Sequence, residues 1–270
     1  MAEFTFPHPE GWRLGEAQEP LNKLSVRTIT VLFRSQQEEQ PTCVVSWDKM
    51  LGPMNWDVIR SLYSSPGLTP RDWASHFKLV LHRAFFVRRI NRDAPNPRCR
   101  CCGRELESLA HFASCSVIGK VWRKFDLLHR NSHTKDKTYR LFAVANGGLL
   151  PRGQADLHII TWKFILISLT RRDLYGEPFN PIKIWAGALS RYARNAHAIE
   201  YRAKREVNLA QAREDYKPAL RQLRTALYPI ATLQPSGTLQ WHKAMRSAFQ
   251  KYKIDVKKYN ETTMMQNDPA

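Results

Sequence analysis

The stretch Cys99–Cys115, reading CRCCGRELESLAHFASC, limits this chain more than any other. It places four of the five cysteines and His111 within seventeen residues. Cys99 and Cys102 are separated by two residues. His111 and Cys115 stand at i and i+4, one helical turn, so both side chains can face the same point. Gly103 lets the backbone leave the C-x2-C turn in a conformation that other residues resist. The set is Cys3His, a tetrahedral zinc composition of soft thiolates and one imidazole. Cys99, Cys102, His111 and Cys115 are therefore the expected ligands of one Zn2+. Four protein ligands leave no open position, so the site reads as structural rather than catalytic. Cys101 is the spare thiol, because pairing it with Cys102 makes adjacent ligands and pairing it with Cys99 leaves a cramped spacer. The alternative reading is a set of buried structural thiols. Ser108 suits the cap of a helix carrying His111, and Glu107 suits an acceptor for an imidazole proton; the alternative for both is a solvated helix start.

Charge is the second constraint. The 42 Lys+Arg exceed the 24 Asp+Glu, for a net charge of +18. Such an excess points to a polyanion, nucleic acid before an anionic membrane surface. The hydrophobic fraction of 43% supports a buried core. Cysteines clustered around a histidine suit metal in a reducing compartment rather than a disulfide framework. No secretory pattern appears in the first twenty residues. The most apolar run, Ile159 to Leu169, is interrupted by Thr161, Lys163 and Ser168 and is too short for a bilayer. A nuclear or cytoplasmic location is expected.

The chain is expected to be mainly α: a small zinc-stabilised helical region, then a long-helix region, with minor β structure near the N-terminus. Segment 1–45 is slightly acidic, with strands expected at Leu24–Phe33 and Pro41–Val45. A zinc region should span 46–130, a linker 131–153, a helical region 154–228 and a basic tail 229–270. Thr69 and Pro70 suit the start of a helix running over 71–91. Its apolar face is expected to be Trp73, Phe77, Val80, Leu81 and Ala84, turning its cations to solvent. Further helices are expected over 156–174, over 182–217 (where small and apolar residues recur from Trp185 to Ala210) and over 219–227. A short hairpin is expected at the C-x2-C turn. His129 and His133 read as surface residues.

Taken together, Trp47, Trp56, the basic stretch Phe77–Ala84, then Cys99, Cys102, Glu107-Ser108, His111, Cys115 and the trailing Trp122 resemble the zinc-binding domain on the C-terminal side of reverse transcriptases of LINE-like (non-LTR) retrotransposons. The resemblance covers about eighty residues, under a third of the chain. It implies a nucleic-acid-binding zinc module, a detached C-terminal piece of such an element or a host protein derived from one. The family's Tyr/Phe-x-Asp-Asp run is absent, so no polymerase activity is expected.

Two basic stretches are candidates for the polyanion surface. Residues 71–104 hold nine Lys/Arg against two acids, and 191–260 hold fifteen against five. Lys78, Arg83, Arg88, Arg89, Arg92 and Arg100 are the expected contacts to RNA or DNA backbone. Trp73 and Phe86 suit base stacking, although an apolar helical stripe more often faces a core. Two other functions are weighed. One is a metal-dependent nuclease in 120–270, which needs carboxylates converging with a lysine. The other is an interaction protein whose helix 182–217 pairs with a partner through its alanine stripe.

Overall fold

The computed structural model describes residues 41–81, 98–130, 136–212 and 217–256, with 210–212 and 217–220 described by backbone alone. The chain forms two compact units, 1–48 and 49–270. The strand expected at 24–33 lies outside the described residues.

Helix α1 (Thr42–Leu51) crosses the unit boundary. It replaces the strand expected at Pro41–Val45. The amides of Val44 and Val45 both bond to the Pro41 carbonyl, and Val44 and Trp47, one helical step apart, are buried. A single pair of β-branched residues is overridden by that spacing.

The second unit opens with α2 (Trp56–Ser61), capped by Asn55, whose side chain accepts the Val58 amide at 3.1 Å. A 3-10 turn (Leu62–Ser64) leads to α3 (Pro70–Val80). Next come the cysteine turn, α4 (Leu109–Ser114), α5 (Gly119–His129) and α6 (Lys137–Phe142). Strands β1 (Val144–Ala145) and β2 (Gly148–Leu149) pair antiparallel. The two long helices follow, α7 (Arg152–Tyr175) and α8 (Pro181–Ala212), joined by the five residues 176–180. The unit ends with α9 (Lys217–Ala226), an antiparallel pair β3 (Ala231–Leu233) and β4 (Leu239–Trp241), and α10 (Lys243–Lys251). The fold is mainly α, as expected. Among the described residues its strands lie at 144–149 and 231–241, not near the N-terminus. No described helix is long and apolar enough to cross a membrane.

Helix α7 is the axis of the core. Ten consecutive residues, Gly153–Trp162, are buried. A helix buried on every side has no polar face, which is why no amphipathic stripe marks this segment. Helices α3, α8 and α9 pack around it. Helix α8 presents Trp185, Ala188, Leu189, Tyr192, Ala193, Ala196, Ile199 and Ala203, all buried. Close approach to α7 is set by Gly187, where a Cβ would meet the Phe164 ring at 2.6 Å. From Trp185 to Ala203 the stripe expected to receive a partner packs inside the unit.

The stretch expected as a linker, 131–153, carries α6, with Tyr139, Leu141 and Phe142 fully buried. Its sequence has helical spacing, but turn residues on both sides hide so short an element. The Tyr139 hydroxyl donates to Asp126 at 2.7 Å, and Trp162 Nε1 donates to the Arg140 carbonyl at 2.7 Å. His129 is half-buried rather than freely exposed: its ring packs edge-on against Phe125 at 4.6 Å, and burial pushes its pKa down to about 4. His133 lies outside the described residues.

Helix α3 meets the core with a different face from the one expected. Asp72, His76, Leu79 and Val80 are buried, while Phe77 is 39% exposed and Trp73 is half-buried. Trp73 instead joins an aromatic group with Tyr63 and Phe77, at centroid distances of 5.4 and 5.7 Å. The helix turns this way because its two polar residues are fully matched inside. His76 Nε2 lies 2.7 Å from the Leu141 carbonyl, so it carries the proton, and Nδ1 accepts from the Tyr63 hydroxyl at 2.8 Å. Asp72 bonds to Lys163 of α7 at 2.8 Å and to Arg191 and Asn195 of α8 at 2.8 and 2.9 Å. One carboxylate thereby ties three helices together. Helix residues expected beyond Leu81, up to 91, lie outside the described residues.

Candidate metal centre and basic surface

The cysteine turn is built by backbone bonds. The Cys99 amide donates to the Glu105 carbonyl at 2.7 Å, Arg98 and Leu106 form an antiparallel bridge, and the Gly103 amide closes on the Cys99 carbonyl at 2.8 Å. This is the short hairpin expected there. Gly103 has φ +67°, the left-handed conformation that a residue with a Cβ adopts only at a cost. Five residues on, Ser108 caps α4 by accepting the His111 amide at 3.1 Å. Capping matters for a six-residue helix that has few internal bonds of its own.

These two elements bring Cys99, Cys102, His111 and Cys115 together, all four donor atoms lying within 4.8 Å of one another. The Cys99 and Cys115 sulfurs are 3.9 Å apart, and Cys102 Sγ lies 3.4 Å from His111 Nε2. A tetrahedron with metal–sulfur bonds near 2.3 Å and a metal–nitrogen bond near 2.0 Å has edges of about 3.8 Å (S–S) and about 3.5 Å (S–N). These two separations match tetrahedral edges, the whole set lies within 4.8 Å, and these four residues can hold a metal ion. Among the described residues no other group of three or more His, Cys, Asp or Glu comes together in this way.

The surroundings favour the thiolate at Cys102 and Cys115, while the carboxylate beside His111 holds the proton on its Nδ1 side. His111 Nδ1 pairs with Glu105 Oε2 at 2.8 Å, leaving Nε2 aimed at the sulfurs. Burial lowers the imidazole pKa, but the Glu105 carboxylate outweighs it and the shift is upward. Burial alone would raise the Cys102 thiol; the amides of Arg104 and Glu105 overcome this and lower it. Cys115 is pushed down to about 4, first by the neighbouring Cys101 and Cys99 thiols, with help from the amides of Ile118 and Val117.

The acceptor beside the imidazole is Glu105, not Glu107. Glu107 is buried and receives Arg100 through the backbone amide at 3.0 Å and through Nε and Nη2 at 2.9 and 2.6 Å. Arg100 also pairs with Asp173 of α7. Burial disfavours its charge, but the two carboxylates outweigh burial and raise its pKa. Expected as a phosphate contact, Arg100 is instead 8% exposed and spends its guanidinium pinning the metal turn to α7. No positional rule separated two glutamates two residues apart; the hairpin register did.

Of the other expected contacts, Lys78 is exposed on α3. Arg83, Arg88, Arg89 and Arg92, with Phe86, lie outside the described residues. In the second basic stretch, Arg191 is taken up by Asp72. The sequence did carry a sign of Asp72: Thr69-Pro70-Arg71-Asp72 has capping-box spacing, and Asp72 accepts from the Thr69 amide and hydroxyl at 3.1 and 2.7 Å. Burial by itself would raise its pKa. Arg191, Lys163, Asn195 and Thr69 together hold it far below the usual carboxylate range.

Among the described residues the scattered carboxylates of 120–270 do not converge. Asp156 is buried against Ser65, Asp173 holds Arg100, and Glu177 is exposed. Asp156 and Asp173 share α7 at a separation of about 25 Å along its axis.

Comparison of the chain with models of protein families, with curated proteins and with solved structures finds no match.

Proposed function

We propose that this chain is a non-catalytic nucleic-acid-binding zinc module, similar to the zinc-binding domain of LINE-like reverse transcriptases. The observation that carries the reading is the convergence of Cys99, Cys102, His111 and Cys115 within 4.8 Å in a chain of net charge +18. Thiolates and an imidazole select zinc over hard cations such as magnesium. Zinc there would fix the start of α5 and, through Arg100, hold the turn on α7. Lys78 and the cations at 83, 88, 89 and 92, which precede the turn, would then meet phosphate together, with little reading of sequence.

The test joins metal analysis of the purified chain with RNA and DNA titrations at two salt concentrations. One zinc per chain and an affinity falling steeply with salt are expected. Replacing Arg88, Arg89 and Arg92 by Ala should reduce the salt slope by about two to three, with zinc content unchanged. A zinc content near zero, or binding indifferent to salt, overturns the reading.

A further inference from the structure

A groove of about 680 Å³ runs between α5 and the residues that lead from α7 into α8. It falls within the range of about 300–1,000 Å³ typical of ligand sites. One wall is the outer face of α5: Lys120, Arg123, Lys124 and Leu127 line it. These positions are i, i+3, i+4 and i+7, so they share a face, and Val121, Trp122 and Phe125 anchor the opposite side in the core. Phe179 and Ile182 stand on the facing wall.

Two features of this groove are unlike ordinary surface. First, its charge has one sign. None of its lining residues is acidic, and among the described residues none of the three cations enters an ion pair. Lys124 lies 3.4 Å from the Tyr252 hydroxyl and 5.6 Å from that ring's centroid, and Lys251 lies 5.9 Å from the same ring. The cationic surface therefore continues onto the end of α10. Second, large apolar side chains stand open beside the charges: Leu127 is 80% and Ile182 57% exposed.

We infer that this groove binds single-stranded nucleic acid, its phosphates on Lys120, Arg123 and Lys124 and an unstacked base against Leu127, Phe179 and Ile182. The inference rests on the nucleic-acid-binding reading above and adds the strandedness and the place. A duplex would satisfy the cations but not the apolar wall, because its base faces are stacked on one another. Unpaired bases expose an apolar face that such a wall can cover. An anionic bilayer would meet the same cations, and vesicles are the control for it.

The test uses the full chain, a fluorescent oligo(dT) 20-mer, a 20-base-pair duplex and phosphatidylserine vesicles. Two variants are compared with the parent: Lys120→Gln/Arg123→Gln/Lys124→Gln, and Leu127→Ser/Ile182→Ser. All five positions are exposed or half-buried, and circular dichroism and zinc content check that the fold persists. The charge variant should bind oligo(dT) at least about tenfold more weakly, with a salt slope reduced by about two. The apolar variant should lose about tenfold on oligo(dT) and nothing on the duplex. Equal loss on both nucleic acids by the apolar variant overturns the assignment to single strands. Unchanged oligo(dT) binding by both variants overturns the groove and leaves the proposed function standing. Loss confined to vesicle binding overturns the groove as a nucleic-acid site. A parent chain that binds neither nucleic acid overturns the proposed function and the groove together.

Discussion

Asp156 is fully buried on α7, with one oxygen accepting the Ser65 hydroxyl at 2.7 Å and the other without a hydrogen-bond partner. Gly67 makes room for it, since a Cβ there would come within 2.2 Å of its Oδ2. Burial pushes its pKa up to about 8, against the opposing pull of Ser65 and Arg152. The folded state thus keeps this proton while the unfolded chain releases it near pH 4. Its contribution to stability is fully present below pH 4 and is lost as pH rises toward 8. Asp156→Asn removes that loss. The stability difference between Asp156→Asn and the parent should grow from pH 4 to pH 8, by up to about 5 kcal/mol in favour of the variant. Thermal melts at several pH values check this; a difference independent of pH would show that Asp156 is charged in the fold. His76 acts in the opposite sense. Burial lowers its pKa to about 4, so the stability it contributes is present above about pH 6.5 and is lost as pH falls toward 4.

Among the elements, α3 shows most clearly how polar matching overrides apolar patterning. Trp73, Phe77 and Val80 form an adequate apolar stripe on a helical wheel, yet the helix turns Asp72 and His76 inward. A buried carboxylate is tolerated only when paired. Two cations and an amide, delivered by two other helices, make the pairing possible. Asp72→Ala would leave Lys163 and Arg191 facing each other with no counter-charge; their side chains are only 17% and 21% exposed. Breaking such a pair is costly, and a loss of about 3 kcal/mol is expected in urea unfolding, reduced somewhat because both cations keep partial access to water. A loss under about 1 kcal/mol would mean that the apolar contacts of α3, not this carboxylate, hold the three helices in register.

At the scale of the whole unit, the metal turn and the helical core are joined but not interdependent. The turn is built mainly of short-range bonds and a six-residue helix, tied to the core through Arg100 and Asp173, so a metal ion bound by its donor set would add much of its local stability. The α7–α8 core is built from four fully buried or nearly buried large aromatic side chains, Trp122, Trp162, Trp185 and Tyr192, none of which is a ligand. Removing metal with a chelator should therefore loosen 99–115 while most of the far-ultraviolet helical signal survives. Amide exchange localises the change: protection should fall in 99–118 and persist in 155–165 and 185–200. Complete loss of helical signal on chelation would show that the metal organises the entire unit.

The candidate ligand set was legible because its chemistry is local: a two-residue spacer, a glycine and one helical turn bring the donors together. The long helices were legible for a similar reason. The spacing at Trp185, Leu189, Tyr192 and Ala196 reports one buried face, and the apolar run that begins at Ile159 reports the fully buried stretch that ends at Trp162. Long-range pairing was not legible. Arg100 reads as a surface cation until Glu107 and Asp173 close around it, and Asp72 reads as a helix cap until α7 and α8 deliver Lys163 and Arg191. Nor could any local pattern set Lys120, Arg123 and Lys124 opposite Phe179 and Ile182, which lie more than fifty residues away in the chain. Charge and polarity are properties of a residue, but whether a charge meets a carboxylate or solvent depends on partners that packing alone brings near.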